Sequence, residues 1–361
     1  MQIINLRFQP GYDTIRRNNF NYQIHREELM KKHPAFVILF LFIILILAAL
    51  CGILFGSVSL SLSDILAVFR GTDRSSTAYI LITTVRIPRV LGGLFAGIGL
   101  ACAGVILQSV MNNSLASPNT IGVNSGSGFA VMLAMVFFPA NSFYIPVFAF
   151  LGALVTTIAI FLLAAASDSS RTTIILAGIT VSSFLNAGIN TIKLLDTDIT
   201  VNLTSFLIGT LSGLTLQRIT LPCICILVAF LLSLFFAKPL NLLSLGDDIA
   251  HSLGLRVPLT RFLLLVSASV LAGCVVSYAG LLSFIGLIVP HICRQLFGND
   301  ARYLLPCSAL LGGCFVILCD LLGRVIASPF ELPAGIIMSF IGGPFFLYLL
   351  LKKKGGRRVH A

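Results

Sequence analysis

The side chains that could do chemistry in this 361-residue chain form no catalytic constellation. No G-x-x-x-x-G-K-[ST] occurs, so there is no P-loop to hold a nucleotide. The five histidines, His25, His33, His251, His291 and His360, are scattered. No pair of carboxylates falls inside an apolar run, where a proton relay would need them. The nine cysteines include no C-x-x-C pair. Cys51, Cys102, Cys274, Cys314 and Cys319 stand within apolar runs, where a thiol is a small apolar filler, so neither a metal site nor a disulfide framework is expected. No catalytic residue and no cofactor is assigned. Asp320 is the acid nearest the membrane, and Arg324 follows it at the spacing of a helical ion pair.

Three polar groups remain. The first is residues 239–256, an interruption between two long apolar blocks. Ser244 with Asp247 three residues on reads as an N-cap and its capping-box partner. Asp247 and Asp248 lie in the first turn, where the helix dipole favours negative charge. Gly254 stands where a left-handed C-terminal cap would. About two turns of helix bury little on their own, so the segment is either gripped by a partner or is an ordinary connection. The second group is Arg86, Arg89 and Arg324, each beside an apolar run. They are interfacial anchors that snorkel, or docking points for an acidic partner surface. The third is the polar turn Asn113–Thr120 with the region of Ser170 and Thr172. Thr172, Ser183, Asn186 and Asn190 fall roughly on one helical face. Such groups line a pathway or cap helices.

The elements that must position these residues follow from composition. The chain is 57% hydrophobic and 10% charged, with mean hydropathy +1.01. No soluble core needs so much apolar surface, whereas a polytopic membrane protein does. Apolar runs of about 20 residues recur, each long enough to cross a bilayer as a helix. The alternation of a membrane β-barrel is absent. The expected fold is all-α with ten transmembrane helices, at 35–55, 90–110, 121–138, 144–166, 172–192, 219–237, 262–278, 280–297, 304–322 and 332–351. Gly93-x-x-x-Gly97 on the second suits close helix contact. The segment 206–216 is too short to cross and reads as a surface or re-entrant piece. Residues 1–34 form a polar, basic tail, retained rather than cleaved as a signal peptide and partly disordered. Residues 35–352 form the membrane domain, and 353–361 a basic tail.

Ten crossings put both termini on one face. That face also holds most of the 24 Lys and Arg, including Arg171, Arg256, Arg261, Arg294 and Lys352–Lys354. By the positive-inside rule it is cytoplasmic, and residues 239–256 lie on it. The net charge of +11 therefore reflects membrane topology and not nucleic-acid binding. Secondary transporters usually keep ionisable groups within the membrane. This chain lacks them and a nucleotide site, so its energy should come from a cytoplasmic partner.

Several stretches in order resemble the FecCD-type permeases of ABC importers. They are Arg86-Ile-Pro-Arg-Val-Leu, the run from Leu107-Gln-Ser-Val-Met-Asn-Asn-Ser-Leu to Gly126, Ser244–Gly254, Phe284-Ile-Gly-Leu-Ile-Val-Pro-His, Leu304-Leu-Pro, Asp320, Glu331-Leu-Pro-Ala-Gly and Gly343-Pro-Phe-Phe. The match runs from about the first span to the C-terminus. It implies the type II importer fold: a permease dimer of identical or homologous subunits, driven by two cytoplasmic ATPase subunits. A substrate-binding protein would deliver ferric siderophores from outside, with cobalamin or haem as the alternative cargo. An ion-coupled secondary transporter is the distant alternative. The setting would be a bacterial cytoplasmic membrane, with both termini inside. By resemblance, Leu245, Gly246, Asp247, Asp248, Ala250, Leu253 and Gly254 belong to the helix that couples to the ATPase. Asn113 and Leu115, with Ser114 between them, match a cytoplasmic gate, and Ser170 and Thr172 a second gate region; Ser183 and Asn186 are assigned to the pathway from their shared helical face. Arg86, Arg89 and Arg324 match positions that salt-bridge acidic residues of the binding protein. Ser114 departs from the family, which usually has proline after the Asn, and makes the turn more flexible.

Overall fold

Every long apolar run is helical in the computed structural model, which describes residues 34–70, 75–138, 144–167 and 170–355; no strand occurs among them. Residues 1–33 and 356–361, within the two expected tails, lie outside the described residues. The first helices are α1 (Pro34–Leu54) and the short α2 (Leu62–Arg70). Next, α3 (Thr77–Ile80), a π-helical turn (Leu81–Arg86) and α4 (Ile87–Val110) run on as one apolar stretch of 34 residues. A 3-10 turn (Pro118–Ile121) leads into α5 (Val123–Phe137), α6 (Tyr144–Ala165), α7 (Arg171–Leu195) and α8 (Thr197–Ile208). The second half holds α9 (Leu216–Phe235), α10 (Ala237–Ser244), α11 (Asp247–Ser252) and α12 (Val257–Ala279). It closes with α13 (Ile285–Phe297), α14 (Ala301–Ile326) and α15 (Ala334–Gly355).

Among the described residues, seven helices are long and apolar enough to cross a membrane, and three shorter apolar helices join them: Val123–Phe137, Ile285–Phe297 and Ala334–Leu349. They fall at the places where spans were expected, with three larger changes of boundary, the simplest being that the seventh span begins at Val257 instead of residue 262. The second span begins at Thr77 instead of residue 90, because the π turn carries the helix through Arg86 and Pro88. Proline is tolerated there because it lies in the first turn of α4. The eighth span loses its start. Gly280–Phe284 is not helical, and Phe284 takes the left-handed conformation (φ 67°) as N-cap of α13. The segment is held instead by the last turn of α8 and the chain that follows it. The Leu281 N–H donates to the Phe206 carbonyl (2.9 Å), and the Thr210 N–H to the Ala279 carbonyl (2.9 Å). The stretch expected as a short surface or re-entrant piece is thus the end of α8 and a turn that docks on this break.

The core lies around α4, which α9, α12, α13 and α14 surround. Small residues let backbones touch. A Cβ placed on Gly97 would stand 2.1 Å from the Gly312 carbonyl oxygen of α14, and one on Gly104 2.0 Å from that of Gly286. The small-residue spacing read in the sequence thus serves the α4–α14 contact at Gly97. By contrast α7 is only 17% buried across its apolar window.

Candidate functional site

At one end of the bundle the chain leaves α9 and turns along α10, whose Leu240 and Leu243 are fully buried. The helix stops because Gly246 takes φ 119°, a backbone conformation that favours glycine. Gly246 is therefore the N-cap of α11. Ser244 does not cap α11 as the sequence suggested; it ends α10, and its Oγ donates to the Asn241 carbonyl at 2.7 Å. Gly254 meets the expectation. It has φ 84°, and its N–H donates to the His251 carbonyl at 2.9 Å.

Asp247 and Asp248 part ways. Asp248 is exposed. The Asp247 carboxylate turns to the bundle, where Oδ1 accepts from Arg171 Nη2 at 2.7 Å and Oδ2 from Arg261 Nη2 at 2.6 Å. Arg171 Nη2 also donates to the Leu243 carbonyl at 2.7 Å. Partial burial alone would push the Asp247 carboxyl up, but the hydrogen bonds and charges of Arg261 and Arg171 outweigh it and hold the carboxyl below the ordinary value. On the outer side, Leu245, Ile249 and Leu253 are 57%, 49% and 59% exposed, while Ala250 is fully buried. The segment thus exposes Ile249 on α11 and an apolar side chain at each of its ends, with Asp248 beside them.

The polar turn after α4 lies at the same end. Asn113 Oδ1 accepts from the Leu115 N–H at 3.0 Å, closing an Asx turn. Asn113 and Ser114 are exposed and Leu115 is half-buried. Thr120 Oγ1 ties the 3-10 turn to the Ser117 backbone, donating to its carbonyl at 2.6 Å and accepting from its N–H at 3.4 Å. Leu115, Ser117, Asn119 and Asn124 line a cavity of about 270 Å³ together with Ser283, Phe284 and Phe346. The capping and pathway readings of this turn overlap at Ser117, which opens the 3-10 turn and also lines the cavity with Leu115, while the third span itself is capped by Gly122 without a side-chain bond. Ser170 is the N-cap of α7, accepting from the Thr173 N–H at 3.1 Å. Thr172, Ser183, Asn186 and Asn190 are all exposed along α7. Ser183 Oγ donates to the Ile179 carbonyl (2.9 Å), and Asn186 Nδ2 lies 3.5 Å from Ser125 Oγ of α5.

Arg86, Arg89 and Arg324 are 2–3% exposed and engaged within the chain. Arg86 Nη1 donates to the carbonyls of Ile53 (2.9 Å) and Leu54 (2.6 Å), and Nη2 to that of Val58 (2.5 Å). Arg324 Nη1 donates to the carbonyls of Gly52 (3.1 Å) and Phe55 (3.2 Å). Together they cap the C-terminus of α1, whose last carbonyls have no helical partner. Asp320 joins the two remaining cations, with Oδ1 3.0 Å from Arg89 Nη2 and Oδ2 3.0 Å from Arg324 Nε. The ion pair read from the i, i+4 spacing is present, and Arg89 extends it. Glu331, in the turn before α15, accepts from Arg89 Nη1 at 2.6 Å and from Ser57 Oγ at 2.9 Å. Its side chain is 30% exposed. Burial pushes its carboxyl up, but the bond to Arg89 leads the terms that bring it below the ordinary value.

Sequence reasoning did not single out Arg171, Arg261 or Glu331. The signal for the first two was available: each stands at the start of an apolar helix on the face assigned to Asp247, and a partly buried carboxylate needs cations. Nothing in the spacing of Glu331 pointed to Arg89, because 242 residues separate them.

Comparison with known proteins gives these two charged ends a context. The chain is 37% identical over 322 residues to the Fe(3+)-citrate import system permease protein YfmE of Bacillus subtilis (strain 168), covering 89% of this chain and 96% of that protein. It is 33% identical over 332 residues to the probable heme-iron transport system permease protein IsdF of Staphylococcus aureus (strain Newman), covering 91% and 99%. Its fold matches a solved metal-chelate type ABC transporter in an inward-facing conformation, with TM-score 0.78 and 29% identity over 88% of this chain and 99% of that one. The model of the FecCD transport family matches residues 41–352, nearly the whole described bundle. The chain belongs to the FecCD transport family.

Proposed function

We propose that this chain is the membrane permease of an ATP-driven importer for ferric chelates, with ferric siderophores as cargo. The observation that carries it is the α10–α11 segment. A polytopic chain without a P-loop presents a short helix flanked by exposed apolar side chains, with Ile249 on it and Leu245 and Leu253 at its two ends, that its own fold leaves uncovered. Relatives that import ferric citrate support the choice of cargo. In this reading the chain crosses a bacterial cytoplasmic membrane ten times with both termini inside. Two such subunits, identical or homologous, enclose the pathway, two ATPase subunits grip α11, and an external binding protein delivers the chelate.

The exposed polar face of α7, with Thr172, Ser183 and Asn186, belongs to that pathway, since polar groups at membrane depth line water or protein. Asn113, Ser114 and Leu115 close its inner mouth. ATP closes the ATPase dimer, α11 moves, and the subunits rock between outward- and inward-open states. The docking role of Arg86, Arg89 and Arg324 takes an indirect form. Arg86 and Arg324 shape the outer rim by fixing the end of α1. Arg89 reaches the surface only through Glu331, so an acidic residue of the binding protein must displace that carboxylate to meet it.

Uptake of 55Fe-labelled siderophores by a strain lacking this chain tests the proposal. Uptake should fall to background and return with the gene on a plasmid. Unchanged uptake of every ferric siderophore, with loss of haem uptake instead, would replace the cargo by haem, a second reading that the identity to IsdF favours.

A further inference from the structure

We propose that Asp247, Arg171 and Arg261 form a three-way relay that carries movement of α11 into α7 and α12, so that Asp247 positions the coupling helix instead of touching the ATPase. This rests on the proposed coupling role of α11 and adds how the motion enters the bundle.

The geometry separates the two acids at the start of α11. Both carboxylate oxygens of Asp247 are engaged from the bundle side, by a guanidinium from α7 at 2.7 Å and another from α12 at 2.6 Å. Charge-assisted bonds of this length are the strong ones. Arg261 is buried, at 3% side-chain exposure, so its end of the bridge has no freedom to swing out. Asp248 and Ile249, in the same turn, face outward. A partner seated on α11 therefore meets Leu245, Asp248, Ile249 and Leu253 first, while both carboxylate oxygens of Asp247, whose side chain is 39% exposed, are already engaged by the bundle.

The same bonds decide what moves with α11. The helix has six residues and buries only Ala250, so packing alone does not fix it. Arg171 is the first residue of α7, next to the N-cap Ser170 and before Thr172. Along α7 only Ile174, Gly178 and Ile189 are buried, so this helix is weakly tied to the rest of its subunit. Arg171 also grips the last turn of α10 through the Leu243 carbonyl. Cation at the start of α7, carbonyl at the end of α10 and carboxylate at the start of α11 thus make one junction. Displacing α11 drags the N-terminal turn of α7, where the pathway face begins, while Arg261 ties the same carboxylate to the better-buried α12. Asp247 is a positioning residue acting through these two arginines.

The test uses the full chain reconstituted in proteoliposomes with its ATPase and binding protein. Chelate transported per ATP hydrolysed and recovery of the ATPase with the permease are both measured. Asp247→Asn should lower the transport-to-hydrolysis ratio about tenfold while the ATPase still co-purifies. Arg171→Met should reproduce it, and Asp247→Glu, which keeps the charge, should restore the ratio to within about threefold. An unchanged ratio in Asp247→Asn, or loss of ATPase recovery in both Asp247→Asn and Asp247→Glu, overturns the relay. Ile249→Asp with Leu253→Asp addresses the coupling role itself and should abolish ATPase recovery. Full recovery there would remove that role, whatever the Asp247 variants do.

Discussion

Replacing Asp320 by alanine removes a carboxylate shared by two buried cations. Its side chain is 3% exposed, and those of Arg89 and Arg324 are 4% and 3%. Removing one partner of a buried pair typically costs about 3–5 kcal/mol, because the other charge stays buried without compensation. Here the lower end applies. Arg89 keeps Glu331 at 2.6 Å, and Arg324 keeps the carbonyls of Gly52 and Phe55. Arg324 has less to spare, since its Nη2 is buried with no hydrogen-bond partner. The expected loss is about 3 kcal/mol, roughly a hundredfold in the folded-to-unfolded ratio. Arg324→Met alone strands Asp320 on Arg89 and uncaps α1. In the double variant the stranded charge disappears, so the two losses should fall short of adding by about 2 kcal/mol. Equilibrium unfolding by SDS in mixed micelles, followed by far-UV circular dichroism, measures all three variants. A loss below about 1 kcal/mol for Asp320→Ala would refute the reasoning, as would additivity within about 0.5 kcal/mol.

The same titration reads the close helix contact. Gly97→Ala should destabilise by about 1–3 kcal/mol because its methyl meets backbone of Gly312 that cannot rotate away. Gly343→Ala, where a Cβ meets nothing within 4 Å, should be neutral or slightly stabilising; equal effects would remove the contact from the account. The pH dependence has a defined sign. Asp247 and Glu331 are held below their ordinary values, so their contribution is complete above about pH 4, the unfolded range. It is lost as pH falls through the folded values. Hydrogen exchange of α11 in nanodiscs, corrected for intrinsic rates, should stay level from pH 7 to 5 and lose protection only below about pH 4. Loss beginning near pH 6 would mean another group controls it. Finally, Glu331→Gln leaves Arg89 with one carboxylate fewer. Binding-protein affinity for the permease in nanodiscs should rise several-fold, and a fall would assign docking to Glu331 itself.

Some features were legible because they depend only on neighbours in the chain. Apolar runs of bilayer length had to be helices, since no other open structure satisfies the backbone in lipid. The Asp320–Arg324 pair follows from one helical turn, and Gly254 at the end of α11 from the freedom of its backbone. The capping box at Ser244 was misread for a local reason as well. Gly246 breaks the chain between Ser244 and Asp247, so the spacing of a cap is present without its geometry.

What the sequence left open was the direction in which a charged side chain points. Arg86 and Arg324 looked like surface cations beside the membrane, yet they face the uncapped end of α1, which packing brings there from more than 250 residues away in the case of Arg324. Asp247 and Asp248 are adjacent and chemically identical, and only the arrival of Arg171 and Arg261 from two other helices turns one inward and leaves the other out. The sequence by itself determined the all-helical membrane fold and the family, because hydropathy and motif order are properties of the chain. Only the tertiary structure decided the partners of the charges, because in a low-dielectric bundle each buried cation takes the carboxylate or carbonyl that packing places beside it.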